Sequence, residues 1–200
     1  MRPLAVAVTG GIGAGKSEAL RAFARRGVPT LSADEVVHRL IAGDPEVRAA
    51  LGERFGTTDR ARIAEVVFAD PDQLAWLEAL LHPRVRREEE AWFAGLDAPV
   101  AVTEIPLLYE VGGEDRFDAV VVITASDTLR AARTPNAGDE RARRLLPDDE
   151  KAAKADFAYV NEGTLDQLDA FVGGVLEQLA AQWARRRALP DGAAGKQDQR

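Results

Sequence analysis

One short stretch near the start of the chain constrains the fold more than any other. Residues 10–17 read Gly-Gly-Ile-Gly-Ala-Gly-Lys-Ser and have the spacing G-x-x-x-x-G-K-[S/T]. An apolar run, residues 4–8, precedes the motif, and a stretch rich in Ala, Leu and Arg, residues 18–26, follows it. This order predicts a strand, a glycine loop and a helix. In such a loop the backbone N–H groups turn inward and hold phosphates, and side chains would block their approach. The motif therefore predicts a nucleotide-binding loop.

We expect specific roles for two side chains of the motif. Lys16 is expected to reach the β- and γ-phosphates as a positive charge, and Ser17 to offer its hydroxyl to Mg²⁺. The N-terminus of the following helix adds a partial positive charge. The alternative is a glycine turn that matches by chance, which the flanking strand and helix argue against. The residues expected to bind the nucleotide are Gly11, Ile12, Gly13, Ala14, Gly15, Lys16 and Ser17.

The composition excludes several classes of chemistry. The chain has 200 residues, 46% of them hydrophobic, which is enough to bury the core of one domain. It contains no cysteine and two histidines, which excludes disulfides, thiol chemistry and a histidine-rich metal centre. Any metal is expected to be Mg²⁺ that arrives with the nucleotide. The formal net charge of -7 argues against broad binding of nucleic acid or anionic membranes.

The sequence also gives expectations about location, oligomeric state and the C-terminal tail. No apolar stretch approaches the length of about 20 residues that a membrane span needs. The N-terminus lacks a signal-peptide pattern because the glycine motif begins at residue 10. We therefore expect a cytoplasmic protein that acts as a monomer, with a weak oligomer left open. The last residues, 188–200, have little to bury and are predicted to be disordered.

Apolar and polar segments alternate along the chain in a pattern typical of an α/β fold. Short apolar runs that predict buried parallel strands lie at residues 4–8, 28–32, 100–103, 119–124 and 157–160. The expected architecture has three layers, a parallel sheet of about five strands with helices on both faces, as in P-loop NTPases. A single domain is predicted over 1–187, with a core at 1–32, 97–127 and 156–187, a helical acceptor-binding insert at 33–96 and a lid at 128–150.

The predicted insert contains consecutive helices and no clear strand. Asp70 and Pro71 are typical of a helix start, as cap and first helical residue. His82 precedes Pro83, and the residue before a proline is disfavoured in the helical region, so the helix is expected to end there. The charged run at 84–90 is expected to be mostly solvated. An apolar stripe precedes the break at Leu74, Leu77 and Leu81.

The last predicted helix begins at Thr164, which is expected to cap it. Its apolar residues recur at helical spacing, and we expect this stripe to pack on the sheet. The stripe consists of Leu165, Leu168, Val172, Val175, Leu179 and Trp183.

Asp34 is the first candidate for an acid or base. It lies just after the predicted strand that ends near Ser32, and open α/β sheets bind their ligands at the carboxyl ends of strands. The alternative role is that of a helix N-cap. Spacing alone leaves both roles open.

A second group of candidates follows the strand at 119–124. A loop rich in Pro and Gly leads into a basic helix that carries Arg141, Arg143 and Arg144. Such arginines suit a lid that closes on transferring phosphates. The alternative for any one of them is a solvated helix face.

Several motifs in order resemble the dephospho-CoA kinase family. They are VTGGIGAGKS at residues 8–17, SADEVVHR at 32–39, LLHP at 80–83 and EIPLLYE at 104–110, with a weaker match that ends in Asn161-Glu162-Gly163. The resemblance extends from about residue 5 to about 175. It implies transfer of the γ-phosphoryl group of ATP, with Mg²⁺, to the ribose 3′-hydroxyl of dephospho-CoA.

The resemblance also implies roles for individual residues. Asp34 matches the second aspartate of the family's D-A-D pattern and would accept or orient the acceptor hydroxyl. Lys16 and the lid arginines Arg133 and Arg141 would complete the catalytic set. The remaining implied contacts are Asn161 and Gly163 with the nucleotide, and His82, Pro106 and Leu107 with the acceptor. Glu110 has two alternatives, bonding the lid or capping the strand exit.

The chain departs from the family pattern at several positions. Ser32 replaces the first aspartate of D-A-D, Glu104 replaces the usual aspartate before I-P-L-L, and Leu145 replaces a lid glutamine. Arg130 and Arg133 are three apart instead of four. Two alternatives therefore accompany the main hypothesis. One is another small-molecule P-loop kinase, acting on a nucleoside, nucleotide or sugar acid, and the other is a nucleotide-dependent regulatory module.

Overall fold

Five parallel strands form the centre of the protein, in the order β2-β3-β1-β4-β5. The computed structural model describes residues 2–134 and 145–188. The predicted parallel α/β sheet is confirmed, and the strand expected at 119–124 has those bounds. The strands are β1 (Leu4–Thr9), β2 (Thr30–Ser32), β3 (Val100–Glu104), β4 (Ala119–Thr124) and β5 (Phe157–Val160).

Helices cover the sheet and extend away from one edge. In chain order they are α1 (Lys16–Arg25), α2 (Ala33–Gly43), α3 (Pro45–Phe55), α4 (Arg60–Ala69), α5 (Pro71–Ala94), α6 (Asp127–Arg133), α7 (Asp148–Lys154) and α8 (Leu165–Ala188). A short 3₁₀ turn, Glu114–Arg116, precedes β4. Within the described part of the chain, no helix combines the length and the apolar character needed to cross a membrane.

The three layers arise because side chains of the central strand β1 pack against helices or turns on both faces of the sheet. All of its residues are buried, and successive side chains point to opposite faces of the sheet. Val6 and Val8 join the cluster in which α1 and α8 pack on one face. Ala7 joins a second cluster on the other face, with Leu108 and Tyr109. A strand covered on both faces reads as a continuous apolar run, which is why the sequence pattern predicted it.

Helices α2 to α5 pack around an apolar cluster of their own. Asp70 caps α5 as predicted, and its Oδ1 accepts hydrogen bonds from the backbone N–H groups of Asp72 and Gln73. The cluster is distinct from the two clusters that pack on the faces of the sheet. Its buried members are Leu31, Val36, Leu40, Ile41, Val47, Leu51, Ile63, Val67 and Leu81.

The predicted helix end at His82 is wrong, because α5 continues through Pro83 to Ala94. A proline inside a helix removes one backbone hydrogen bond and costs about 3 kcal/mol or more. Here the Arg84 guanidinium donates to the Leu80 carbonyl at 2.9 Å, which gives a carbonyl of this turn an extra partner. Apolar residues before and after the proline, Leu81 and Val85, pack in the same cluster. Tertiary packing therefore outweighs the local signal.

The charged run at 84–90 is not solvated throughout. Glu89 is 4% exposed, and its Oε2 accepts a hydrogen bond from Arg116 at 2.7 Å. Burial raises the pKa of Glu89, and the positive charge of Arg116 opposes that rise. This pair joins α5 to the 3₁₀ turn before β4, so a residue expected on the surface contributes to the contact between the helices and the sheet.

The final helix α8 confirms the predicted cap and most of the predicted stripe. Thr164 and Gln167 bond each other's backbone N–H groups in a reciprocal cap. Leu165 is the exception, since it is exposed instead of facing the sheet. The helix includes Ala188, the first residue of the predicted tail, and the rest of the tail lies outside the described residues. The stripe residues buried on the sheet are Leu168, Val172, Val175 and Leu179.

Candidate nucleotide-binding and catalytic site

The carboxyl ends of the five parallel strands meet at one edge of the sheet. In the strand register Glu104 pairs with Val8 of β1 and with Ser32 of β2, so Glu104 lies between those two strand ends. On the other side, the Asn161 N–H donates to the Thr124 carbonyl at 2.7 Å, directly after β4 and β5. Parallel sheets bind ligands at this edge. Most of the predicted site residues follow these strand ends.

The loop between β1 and α1 adopts a conformation that requires glycine. Gly10, Gly13 and Gly15 have φ angles of 139°, 74° and 104°. A Cβ atom on Gly10 would lie 1.9 Å from the Ile123 carbonyl oxygen, and one on Gly15 would lie 2.2 Å from Asn161 Nδ2. These positions therefore leave no room for side chains. The result is a backbone cradle at the N-terminus of α1, as the motif predicted.

Lys16 lies at the start of α1 and turns back toward the loop. Its Nζ donates to the Gly11 carbonyl at 2.9 Å. Burial lowers the pKa of Lys16, and Lys151 lowers it further, whereas the negative charges of Glu104 and Asp34 raise it. The side chain is thus a cation held near the cradle in a partly dehydrated environment. Such a cation favours binding of an anionic group.

Ser17 and Glu104 provide oxygen atoms next to Lys16. The Ser17 hydroxyl donates to Glu104 Oε1 at 3.2 Å. Burial raises the pKa of Glu104, and the charge of Lys16 opposes this rise. Hydroxyl and carboxylate oxygens are the donors that Mg²⁺ prefers, so the donor set fits the predicted metal. Among the described residues no group of three or more acidic or histidine side chains could hold a metal by itself. The set therefore fits an ion that keeps waters and phosphate oxygens as its other ligands.

Asp34 does not cap its helix. Helix α2 begins at Ala33 with Ser32 as its N-cap residue, and Asp34 follows in the first turn. The capping alternative is therefore wrong. The exposed Asp34 carboxylate lines a cavity of about 480 Å³ together with Glu35, His38, Arg39 and Arg60.

This cavity combines acidic and basic groups. His38 Nδ1 and the Arg60 guanidinium form a hydrogen bond across it, which links α2 to α4. Arg39 lies 3.7 Å from Glu88 of α5. The cavity thus places carboxylates beside two arginines, whose positive charges favour an anionic group.

Helix α6 brings two arginines to the phosphate loop. Arg133 donates to the carbonyls of Gly13 at 3.3 Å and Asn161 at 3.1 Å. Arg130 donates to Asp148 of α7 at 2.8 Å and also pairs with Asp127. Arg133 was a predicted catalytic residue and does reach the loop. The other predicted lid arginine, Arg141, lies outside the described residues.

The two residues predicted after β5 differ from each other. The buried Asn161 donates from Nδ2 to the Ala14 carbonyl at 2.8 Å, so it supports the loop from behind. Gly163 is exposed, and a Cβ atom there would lie 1.8 Å from Gln167 Oε1. The contacts of Gly163 are those of the α8 cap, not of the loop.

The predicted acceptor contacts are also spread over the molecule. The Pro106 carbonyl accepts a hydrogen bond from Thr9 Oγ1 at 3.4 Å, at the end of β1. Leu107 is half-buried in the turn that follows β3, and its carbonyl accepts from Val111 N–H at 3.3 Å. His82 is exposed in the middle of α5, away from any helix end.

Three features of this edge were not predicted from the sequence. The family comparison flagged Glu104 as a departure, but its hydrogen bond with Ser17 was not foreseen. The pairing of Arg130 with Asp148 and the burial of Lys151 were also missed. No short motif marks the last two, because both depend on contacts between segments that the strand order brings together.

A phosphate loop with a lysine, at the carboxyl edge of a parallel sheet and beside a cavity with an exposed carboxylate, defines the class of P-loop kinases. Comparison with known proteins then identifies the family. The family model described as dephospho-CoA kinase matches residues 4–167, and this chain belongs to that family. It is therefore a kinase, and P-loop kinases use a nucleotide.

One relative and two solved structures illustrate the similarity. A dephospho-CoA kinase of Rhodopseudomonas palustris is 37% identical over 198 residues, covering 92% of this chain and 99% of the relative. A crystal structure of a protein from Thermus thermophilus is 32% identical, with a TM-score of 0.77, covering 90% of this chain and 99% of that one. A dephospho-CoA kinase from Campylobacter jejuni has a TM-score of 0.64 at 23% identity, covering 89% and 98%, and supports the fold.

Proposed function

We propose that this chain transfers the γ-phosphoryl group of ATP to the 3′-hydroxyl of the ribose of dephospho-CoA and releases coenzyme A and ADP. The observation that carries the proposal is membership of the dephospho-CoA kinase family along residues 4–167. The arrangement at the sheet edge supports it, because Lys16 in the phosphate loop and the carboxylate of Asp34 both follow strands that end at that edge. Glu104, between those strands, acts electrostatically with both.

The nucleotide is proposed to bind in the loop from Gly11 to Ser17. Backbone N–H groups would hold the phosphates, and Lys16 would exchange its bond to the Gly11 carbonyl for a phosphate oxygen. Ser17 would hold Mg²⁺, and Glu104 would orient the Ser17 hydroxyl. The metal, when bound, neutralises part of the phosphate charge. Asn161 would keep the loop in shape through the Ala14 carbonyl.

The acceptor is proposed to bind in the cavity beside Asp34. In the transfer step the ribose oxygen forms a bond to the γ-phosphorus, the bond to the leaving oxygen of ADP breaks, and Asp34 accepts or orients the hydroxyl proton. Arg39 and Arg60 line the same cavity and suit the phosphates of dephospho-CoA. The insert formed by α2 to α5 would thus hold the acceptor, with His82, Pro106 and Leu107 as further proposed contacts.

The arginines near the loop are proposed to stabilise the charge on the transferring phosphoryl group. Arg133 already donates to carbonyls of the loop, so a short movement of its guanidinium would reach a bound phosphate. Arg141 would act with it. Exclusion of water by these side chains would favour transfer to the sugar over hydrolysis of ATP. We further propose that the enzyme acts in the cytoplasm as a monomer.

The experiment that tests this function is ADP release with ATP and Mg²⁺, comparing dephospho-CoA, adenosine, AMP, gluconate and no acceptor. We expect strong stimulation by dephospho-CoA alone, with a product whose mass is that of coenzyme A. Stimulation by another acceptor instead would keep the kinase class and overturn the substrate. Tight ATP binding with no stimulation by any acceptor would favour a regulatory module.

A further inference from the structure

Helix α7 contains a lysine with no exposed surface. The relative exposure of Lys151 is 0%, and its Nζ lies 2.7 Å from Glu110 Oε1. The same carboxylate oxygen accepts a hydrogen bond from the Leu146 N–H at 2.9 Å. Glu110 is therefore tied both to α7 and to the segment that leads into it. This answers the open question about Glu110, which bonds this segment instead of capping a strand.

A buried ion pair contributes little net stability to the attachment of a helix. Removing two charges from water costs several kcal/mol for each ion, and well-packed apolar residues of similar size often serve stability as well. Glu110 Oε2 is also buried and has no hydrogen-bond partner among the described residues. Apolar packing by Leu146 and Ala152 already holds this helix on the sheet. What the pair adds is a fixed position along and around the helix axis.

The position of α7 matters because Asp148 lies one turn before Lys151 in the same helix. Asp148, three residues before Lys151, accepts a hydrogen bond from Arg130. A Cβ atom on Gly11 would lie 2.2 Å from Arg130 Nη1 and 3.0 Å from each carboxylate oxygen of Asp148. The Arg130–Asp148 pair thus lies directly against the glycine whose carbonyl holds Lys16.

We propose that Lys151 is a positioning residue for nucleotide binding. Through its ion pair with Glu110 it fixes α7, so that Asp148 holds the Arg130 guanidinium against Gly11 of the phosphate loop. Lys151 does not touch the nucleotide itself. This inference rests on the proposed function, since it takes ATP as the occupant of the loop.

The test is the dissociation constant of ATP with Mg²⁺, measured by titration calorimetry on the full chain. The key variant is Glu110→Gln with Lys151→Met, which removes both charges while Gln keeps an acceptor for the Leu146 N–H. Arg130→Gln removes the proposed end point, and a combined variant carries all three changes. Lys154→Met is the matched control, because it removes an exposed lysine from the same helix.

We expect the double variant to bind ATP about tenfold more weakly, which corresponds to about 1.4 kcal/mol. Arg130→Gln should weaken binding at least as much, the combined variant should be no weaker than Arg130→Gln, and the control should match the wild type. Such non-additivity is the mark of residues that act through one contact. Thermal unfolding of each variant checks that it is folded.

Three results would overturn the proposal. The first two are additive weakening in the combined variant and wild-type affinity in the double variant. Arg130 is partly exposed and can be changed without disturbing the buried pair, so wild-type affinity in Arg130→Gln would overturn it even if the double variant did not fold. A wild-type chain that binds no ATP would contradict the proposed function instead.

Discussion

Two lysines near the phosphate loop are held in opposite ways. Lys16 bonds a carbonyl five residues earlier in the chain, within its own loop. Lys151 pairs with Glu110, which belongs to a different segment beyond β3. Lys16 lies in a half-buried position with access to the cradle, whereas Lys151 is wholly enclosed. One lysine is available to a ligand and the other is committed to a partner.

Ligand binding and stability depend on these two lysines to different degrees. Burial lowers the pKa of Lys16, so its charged form is disfavoured until an anion compensates it. A partly dehydrated positive charge of this kind favours binding of an anion, but it destabilises the protein when no ligand is bound. The charge of Lys151 is already compensated by a carboxylate at 2.7 Å, so its loss should affect folding first.

The largest effect is expected for turnover in Lys16→Met. Removing the cation should lower turnover by about a thousandfold, as for loss of one main electrostatic contact to the reacting group. The melting temperature should not fall, because a partly dehydrated charge is removed and the methionine retains much of the apolar stem. Steady-state ADP release and thermal unfolding measure the two quantities, with Lys154→Met as control. Turnover near the wild-type value would show that the loop assignment is wrong.

For Lys151→Met the main expected effect is a loss of stability. The free energy of unfolding should fall by about 3–5 kcal/mol, because Glu110 remains as an unpaired buried charge. Urea denaturation followed by circular dichroism measures this change. Adding Glu110→Gln should restore most of the lost stability, since the buried charge is then gone. A single variant as stable as the wild type would mean that the pair contributes nothing to the fold.

The smallest effect is expected at an exposed ion pair that joins α1 to α8. Hydrogen bonds from Arg26, and also from Arg25, hold the pKa of Asp169 down at about 2. Because the folded-state pKa is lower than the unfolded value of about 3.9, the stabilisation is present above that value and is lost as the pH falls toward 2. Asp169→Asn should therefore be slightly less stable than the wild type at pH 7 and closer to it at pH 3.

Urea denaturation at both pH values measures this convergence. Asp166→Asn, on the same helix, serves as the control and should show no such pattern. A stability difference for Asp169→Asn that stays the same at pH 3 and pH 7 would contradict the role of the Arg26 pair.

Much of the fold followed from local sequence patterns. The strand at 119–124 and the caps at Asp70 and Thr164 were predicted because each depends on neighbouring residues alone. The phosphate loop belongs to the same group, since its glycines and Lys16 lie within one motif. Local signals of this kind determine where elements begin and which face of a strand is apolar.

The wrong predictions all involve contacts between distant segments. Pro83 remains within a helix because residues on both sides of it pack on α2 to α4. Glu89 is buried because Arg116, on another element, reaches it. Leu165 is exposed although it continues an apolar stripe, since the stripe meets the sheet only from Leu168 onward. None of these partners is adjacent in sequence.

The same distinction between local signals and distant contacts applies to the candidate site. The glycine motif predicted Lys16 and Ser17, and the family resemblance implied the role of Asp34; all three residues follow strand ends. The motif and the resemblance did not predict that Glu104 bonds Ser17 or that α7 meets the loop through Asp148 and Arg130. Those contacts depend on the strand order, in which β3 and β4 flank β1. The pattern of apolar residues along the sequence does not predict that strand order.

In the proposed mechanism the loop holds the nucleotide and Asp34 acts on the acceptor. The most direct test is Asp34→Asn, in which ATP affinity and single-turnover transfer to dephospho-CoA are measured on the same preparation. Asp72→Asn is the matched control, because it also changes an exposed aspartate in the first turn of a helix. We expect unchanged ATP affinity and transfer slower by at least about a hundredfold. Transfer at the wild-type rate would show that Asp34 has no role in the transfer step.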